Sequence, residues 1–365
     1  MPHIAIDARI ISSSTGRYVE RLITYLQDVD TKNKYSIIVR EKDKDFWKPK
    51  NPNFTVHVAN FNNYSFAEQL GFKVFLDKLG ADLVHFCMPQ QPILYNGKKI
   101  TTFHDMTLLK VYNSDKNWLI YKTKQKVGYF VFKKVSKDSN HIIAISKFTK
   151  QELQSYFPVP DEKVSVIYEA SDISKVKPVK YRLPFKKYIL YVGQQSDYKN
   201  IKRLGDAHQM LLSKYPDLGL VLVGRKNKSA LINEDYFNNR KYKNIIFTDF
   251  VENSNLAWLY SNAEAYVFPS LMEGFGLPGL ESMEHNTPVV SSNATCLPEI
   301  YGKAAHYFDP YDTSSIAESI DEVLSNNDLR NKLTKAGLSQ LKKYSWHKMA
   351  QETHSVYKKV LKSKN

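Results

Sequence analysis

Glu273 and Glu281 stand with seven residues between them around a glycine-rich turn, Glu273-Gly-Phe-Gly-Leu-Pro-Gly-Leu-Glu281. Carboxylates so placed can accept hydrogen bonds from the hydroxyls of a sugar or a ribose. Gly274 and Gly276 let the backbone turn sharply and approach a ligand closely. The next stretch, Leu277 to His285, reads as a helix with Pro278 in its first turn, where proline is tolerated. A helix start presents unpaired N–H groups and the positive end of its dipole to an anion. Gly274, Phe275, Gly276, Leu277 and Glu281 are therefore the candidate binding residues of this turn. The expected ligand is phosphorylated and hydroxyl-rich, most simply a nucleotide sugar.

A second cradle lies upstream in Tyr191-Val-Gly193-Gln-Gln-Ser-Asp-Tyr-Lys199-Asn200. A glycine directly after a strand, followed by a lysine opening a helix, suits a phosphate. Thr101-Thr-Phe-His104-Asp105 ends another strand, and in doubly wound sheets ligands gather at the carboxyl ends of strands. Asp105 is placed either to orient His104 or to cap the segment that follows. Ser12-Ser-Ser-Thr-Gly16-Arg17-Tyr18 joins the first strand to the first helix. Gly16 there is either a ligand-approach glycine or a simple helix-start residue.

The elements that must position these residues alternate. Strand-like runs fall at 4–7, 35–40, 54–59, 83–87, 100–104, 142–146 and 164–168, and again at 188–192, 218–223, 244–247, 266–268, 289–291 and 306–308. Helical periods lie between them. Val19, Leu22, Ile23 and Leu26 form one apolar stripe. A helix after Ser146 has that serine as its expected N-cap. Such alternation predicts parallel, doubly wound α/β sheets. Residues 173–187 are Lys/Pro-rich, lack periodicity and read as an interdomain linker. The expected organisation is a domain over 1–172, the linker, and a second domain over 188–345. A final helix over 346–365 carries the stripe Met349, Thr353, Val356, Tyr357 and Val360.

The glycine-rich turn resembles the E-x7-E signature of retaining family-4 glycosyltransferases of the GT-B fold. The 193–200 segment is similar to that family's G-R-x4-K-N loop, with Gly193, Lys199 and Asn200 matching. Gln194 stands where the family has arginine, so one charge is missing where diphosphate charge builds up, and Arg225 is the candidate to compensate. Thr101–Asp105 resembles the T-x-H-D segment, and Gly16-Arg17-Tyr18 matches part of a G-x-G-R-Y turn. The resemblance implies two Rossmann-like domains facing a central cleft, with the donor held by the second. It implies that Glu281 binds ribose hydroxyls and that Glu273 lies by the transferred sugar. Lys199, with Gln194 and the helix start near Gly276, would stabilise the leaving diphosphate, and His104 would contact the donor sugar and contribute to catalysis. It implies no divalent ion. It also implies that the last helix crosses back onto the first domain.

At 365 residues the chain exceeds the usual size of one core, so two domains are the prior. It contains no apolar run of about eighteen residues that would span a membrane. The first residues enter a strand pattern without a signal-peptide layout, and Cys87 and Cys296 read as reduced core cysteines, which together suggest a cytoplasmic protein. No metal-ligand spacing is present, and neither a metal nor a cofactor is expected. The net charge of +15 fits phosphorylated substrates, an anionic membrane face at the inner leaflet, or a merely lysine-rich surface. No nucleic-acid-binding signature accompanies it, so no specific nucleic acid is expected. Residues 116–137 mix lysines with aromatics and suit an anionic bilayer. With Leu119, Val127, Phe130 and Val131 facing inward, they equally suit a core helix with a solvated lysine face, which is the reading favoured here.

The expected activity is transfer of a hexose, mannose or similar, from a GDP- or UDP-linked donor to a glycan or lipid-linked acceptor in cell-surface polysaccharide synthesis. The alternatives are an inactive glycosyltransferase-like partner subunit, which Gln194 favours, or another GT-B enzyme such as a nucleotide-sugar epimerase.

Overall fold

The computed structural model describes residues 1–13, 15–112, 118–172 and 176–363. Ser14 of the first turn, residues 116–117 of the basic aromatic stretch, 173–175 of the expected linker and 364–365 of the final helix lie outside the described residues. The chain divides into two compact units. One comprises Met1–Leu109, Thr123–Glu169 and Ser345–Asn365, and the other Lys110–Lys122 and Ala170–Tyr344.

The strands of the first unit are β1 (His3–Asp7), β2 (Lys34–Val39), β3 (Phe54–Val58), β4 (Leu83–Phe86), β5 (Lys99–Phe103), β6 (His141–Ala144) and β7 (Val164–Val166). They form one parallel sheet in the order β3-β2-β1-β4-β5-β6-β7. β4, β5 and β6 are buried along their whole length, as strands covered on both faces must be. The strands of the second unit are β8 (Lys187–Val192), β9 (Leu218–Val223), β10 (Ile245–Phe247), β11 (Ala265–Phe268), β12 (Val289–Ser292) and β13 (Ala305–Phe308), parallel in the order β10-β9-β8-β11-β12-β13. Both sheets reverse their direction of growth beside their first strand, the Rossmann arrangement in which ligands settle at the strands' carboxyl ends.

The helices are α1 (Gly16–Val29), α2 (Lys73–Leu79), α3 (Thr107–Lys110), α4 (Trp118–Asp138), α5 (Lys147–Tyr156), α6 (Ile201–Leu211), α7 (Lys228–Asn239), α8 (Asn253–Asn262), α9 (Leu277–Glu284), α10 (Leu297–Tyr301), α11 (Thr313–Ser325), α12 (Asn327–Leu341) and α13 (Trp346–Lys362). The α1 stripe of Val19, Leu22, Ile23 and Leu26 is fully buried. Ser146 caps α5 by accepting from the Thr149 N–H at 3.1 Å.

α13 packs against α1 within the first unit and buries Met349, Thr353, Val356, Tyr357 and Val360. A buried polar chain ties it to the sheet. Tyr357 OH meets His85 Nδ1 at 2.6 Å, His85 Nε2 meets Thr102 Oγ1 at 2.8 Å, and that hydroxyl meets Tyr18 OH at 2.9 Å. Each polar atom so enclosed needs a partner, and the chain supplies them in sequence. A second buried network, at the end of β1, joins Arg9 to Asp7 at 2.7 Å and to Glu68 at 3.0 Å, with the guanidinium over the Phe72 ring.

Of the expected linker and the expected inner face of α4, the second needs correction. The described part of the linker stretch belongs to the second unit: the Val179 N–H donates to Ser254 O at 2.9 Å and the Asn255 side chain to Val179 O at 2.9 Å. In α4 the buried large apolar residues are Tyr121, Val131, Phe132 and Val135. Of the four residues expected inside, only Val131 is buried. Leu119, Val127 and Phe130 are exposed by 66%, 53% and 57%. Lys122, Lys124, Lys126, Lys133, Lys134 and Lys137 are all exposed or half-buried, so the solvated lysine face is present, and the three exposed apolar residues share it.

Candidate functional site

In the second unit, β8 and β11 are neighbours at the point where the sheet reverses. The loop Gly193–Asn200 leaves the end of β8, and the loop Pro269–Gly276 leaves the end of β11. The fold thus brings the two sequence motifs side by side. Gly193 adopts φ +148°, and a side chain at Gly224, after β9, would lie 2.1 Å from the Gly193 carbonyl oxygen. Backbone therefore packs on backbone there, which only glycine permits.

Lys199 and Glu273 meet across these loops, Nζ to Oε1 at 2.6 Å, with both side chains mostly enclosed. Lys199 also lies over the rings of Tyr198 and Phe268. Gly276 caps α9 from the left-handed region at φ +96°, and a side chain there would strike Tyr301 and Leu297. α9 opens immediately after it, with Pro278 in its first turn. Glu281, one turn on, is only 4% exposed, and its Oε2 accepts from Tyr260 OH at 2.8 Å. The Phe275 side chain turns inward, edge-on to Tyr344, so this residue offers a ligand only its backbone. Leu277 is half-buried at the start of α9.

Several residues that the motifs did not single out hold this geometry. Tyr191 OH donates to Gln194 O, and Tyr301 OH donates to Gly276 O. The Asn200 amide donates to Pro269 O at 3.1 Å and Pro310 O at 2.7 Å from a left-handed backbone. Thr295 Oγ1 accepts from the Glu273 N–H at 3.2 Å, and Cys296 Sγ donates to Glu273 O. Burial drives the hydroxyls of Tyr191, Tyr266 and Tyr301 well above the usual phenol range, and the nearby Glu273 charge adds to the effect. Tyr191 and Tyr301 therefore donate as neutral hydroxyls. A tyrosine pointing out of a strand or helix carries no sequence mark for such a role.

The Gln194 side chain is exposed beside this loop. Arg225 lies one residue past Gly224 and faces the Phe250 ring at 5.9 Å. Arg225 and Phe250 line a cavity of about 470 Å³ with Lys226, Asn227 and Asp249.

In the first unit, His104 follows β5. Its Nε2–H donates to Cys87 O at 2.9 Å, and its ring stands edge-on to Tyr18 with centroids 4.9 Å apart. Glu169, which is buried, places Oε1 3.4 Å from Nδ1. Asp105 takes the capping role, accepting from the Thr107 N–H at 2.8 Å at the start of α3. Gly16 opens α1, where a side chain would overlap the Ile11 carbonyl at 1.8 Å, so close packing alone requires glycine. Among the described residues, no group of three or more His, Cys, Asp or Glu is placed to hold a metal ion, and no helix is long and apolar enough to cross a membrane.

Two family models match the chain: "Glycosyltransferase Family 4" over residues 15–175 and "Glycosyl transferases group 1" over residues 174–340. The chain is 30% identical over 277 residues to the O-antigen chain mannosyltransferase B of Escherichia coli, a match covering 72% of this chain and 70% of that protein. Among solved structures, sucrose-phosphate synthase from Thermosynechococcus elongatus superposes with a TM-score of 0.81 at 18% identity, covering 99% of each chain. Anabaena Alr3699/HepE, crystallised with UDP and glucose, superposes at 0.74 and 14% identity, covering 98% of this chain and 100% of that one. These structural likenesses concern the fold.

Proposed function

This chain belongs to glycosyltransferase family 4 and is a glycosyltransferase of the GT-B type, and from that premise we propose that it moves a hexose, mannose or similar, from a nucleotide diphosphate sugar to a hydroxyl acceptor. The acceptor in this reading is a glycan or lipid-linked sugar in cell-surface polysaccharide synthesis, in keeping with the mannosyltransferase relative. The transfer retains anomeric configuration, as the E-x7-E resemblance implies. Product anomer determination by NMR tests that step.

The observation that carries this reading is the pairing of motifs at the β8–β11 reversal. Lys199 and Glu273 meet there, with Gly193 on one side and the start of α9 on the other. In this reading the diphosphate lies against Gly193, Lys199 and the N–H groups after Gly276, which stabilise charge as the sugar departs. Gln194 adds a neutral donor and Arg225 a guanidinium. The base occupies the cavity beside Arg225 and Phe250, GDP and UDP fitting the argument equally. Glu281, steadied by Tyr260, takes the ribose hydroxyls, and Glu273 lies by the transferred sugar. His104, in the first unit, is assigned a sugar contact. No divalent ion or cofactor is assigned to the reaction.

We further propose that α4 docks on an anionic bilayer. Leu119, Val127 and Phe130 are exposed among Lys122, Lys126 and Lys133, so one face joins apolar insertion to positive charge.

Thermal-shift screening against UDP, GDP, ADP and their sugar conjugates tests the donor assignment. Stabilisation by one nucleotide class names the base. Stabilisation by none transfers support to the inactive-subunit reading, with Gln194 as the first residue to restore to arginine.

A further inference from the structure

The surroundings of His104 contain an unanswered pair. A carbonyl oxygen can only accept, so the 2.9 Å bond to Cys87 O puts a hydrogen on Nε2. In the neutral ring Nδ1 then carries a bare lone pair. It faces Glu169 Oε1 at 3.4 Å, and a carboxylate is also an acceptor. The side chains are 13% and 6% exposed, so bulk water reaches both poorly. Among the described residues, the neighbouring polar groups are engaged elsewhere. Asp105 accepts from the Thr107 N–H, Tyr18 OH pairs with Thr102, and both nitrogens of His85 are taken by Tyr357 and Thr102. Two acceptors held together without a hydrogen between them are unfavourable unless a donor arrives.

We infer that a ligand supplies that donor: His104 Nδ1 and the Glu169 carboxylate form an acceptor pair for the hydroxyls of a sugar. This rests on the reading of the chain as a sugar-transferring enzyme and deepens it. It gives His104 a polarity, accepting at Nδ1, and it assigns a role to Glu169, which no motif marked. One hydroxyl donates to Nδ1 and a neighbouring one to Glu169, or a single hydroxyl is shared. Cys87 fixes which ring nitrogen takes part.

The test uses the full chain with ¹⁵N-labelled histidine at mildly alkaline pH. Long-range proton–nitrogen spectra separate a lone-pair nitrogen from a protonated one, and the His104 signals are identified by their loss in His104→Gln. The expected Nδ1 signal is of the lone-pair type, and it moves on addition of D-mannose or D-glucose. In Glu169→Gln the amide N–H satisfies Nδ1 from within the protein. That variant loses the sugar-dependent shift, and its KM for the donor rises about tenfold, the loss of one good hydrogen bond, while its melting temperature stays near wild type. Glu169→Asp keeps part of both responses. A protonated Nδ1 before any sugar is added overturns the inference, because the pair then closes on itself as an ion pair. So does an Nδ1 signal that neither sugar moves, or a Glu169→Gln protein with unchanged KM. If no nucleotide sugar stabilises the wild type, the donor assignment fails on its own. The free sugars and the Nδ1 signature still decide the pair.

Discussion

Lys199 Nζ and Glu273 Oε1 stand 2.6 Å apart at the point where the second sheet reverses. The cation best placed for a diphosphate is therefore already answered by a carboxylate. An anion drawn to Lys199 competes with Glu273, and the glutamine at position 194 adds no positive charge to tip the balance. In the proposed reading, Glu273 thus opposes tight retention of the nucleotide while it stands beside the sugar. Binding and turnover are set against each other in one ion pair.

That opposition has a measurable sign. Glu273→Gln should bind UDP or GDP several-fold more tightly by calorimetry, since a negative charge beside the anion is removed. Its transfer rate should fall about a hundredfold or more, the usual scale for losing an electrostatic group at the reacting centre. Lys199→Ala should weaken nucleotide binding and transfer together. Weaker nucleotide binding in Glu273→Gln would contradict the arrangement.

Tyr260 offers a finer test, because its hydroxyl donates to Glu281. Tyr260→Phe removes one bond to a largely buried carboxylate, worth about 1.5–3 kcal/mol for a charged partner. The expected result is a donor KM raised about tenfold or more with kcat nearly unchanged, measured by steady-state kinetics over donor concentration. A fall in kcat alone would place Glu281 at the chemistry rather than at the ribose.

The outer face of α4 predicts salt-sensitive binding to vesicles containing anionic lipid, read by co-sedimentation. Replacing Lys122, Lys126 and Lys133 with glutamine should abolish most of it at physiological salt, each lysine near the surface being worth about 1 kcal/mol. Phe130→Ser should reduce binding even at low salt. Equal sedimentation of wild type and both variants would remove the bilayer from the account.

Acid should loosen both units. His85 in the first unit and His208 in the second are fully buried. Burial lowers the pKa of His85 to about 3 and that of His208 to about 4, against an ordinary 6.5. Above pH 6.5 both are neutral whether the chain is folded or not, and their contribution to stability is complete. As pH falls below that value the unfolded chain gains protons that the folded chain refuses, so stability declines, by up to about 1.4 kcal/mol per pH unit for each histidine. Melting temperatures should fall steadily from neutral pH towards pH 4, and a flat profile would contradict the burial.

The parts of this molecule legible in the sequence are those whose causes are local. The α1 stripe, the Ser146 cap and the strand–turn–helix around Gly276 each depend on residues a few positions apart. The supports of the site depend on residues brought from far along the chain. Tyr260 reaches Glu281 from another helix, Thr295 reaches Glu273 from beyond β12, and Glu169 reaches His104 across more than sixty positions. No periodicity records such meetings. Phe275 shows the converse: its motif membership was plain, yet packing against Tyr344 took its side chain away from the ligand. In α4 the lysines do mark the solvent side, but Leu119, Val127 and Phe130 share it, and only packing revealed that Val131, Phe132 and Val135 take the inner one.

The helix α13 is held to the first sheet through Tyr357 and His85, but it emerges from the ribosome after the whole second unit. The early half of the chain therefore leaves the exit tunnel with α1 uncovered and His85 lacking its tyrosine partner. It must wait, partly open, while the later half is made and folds. Domains made during synthesis generally fold in order of appearance. Here the first to appear should be the last to finish, and the final helix acts as its fastening.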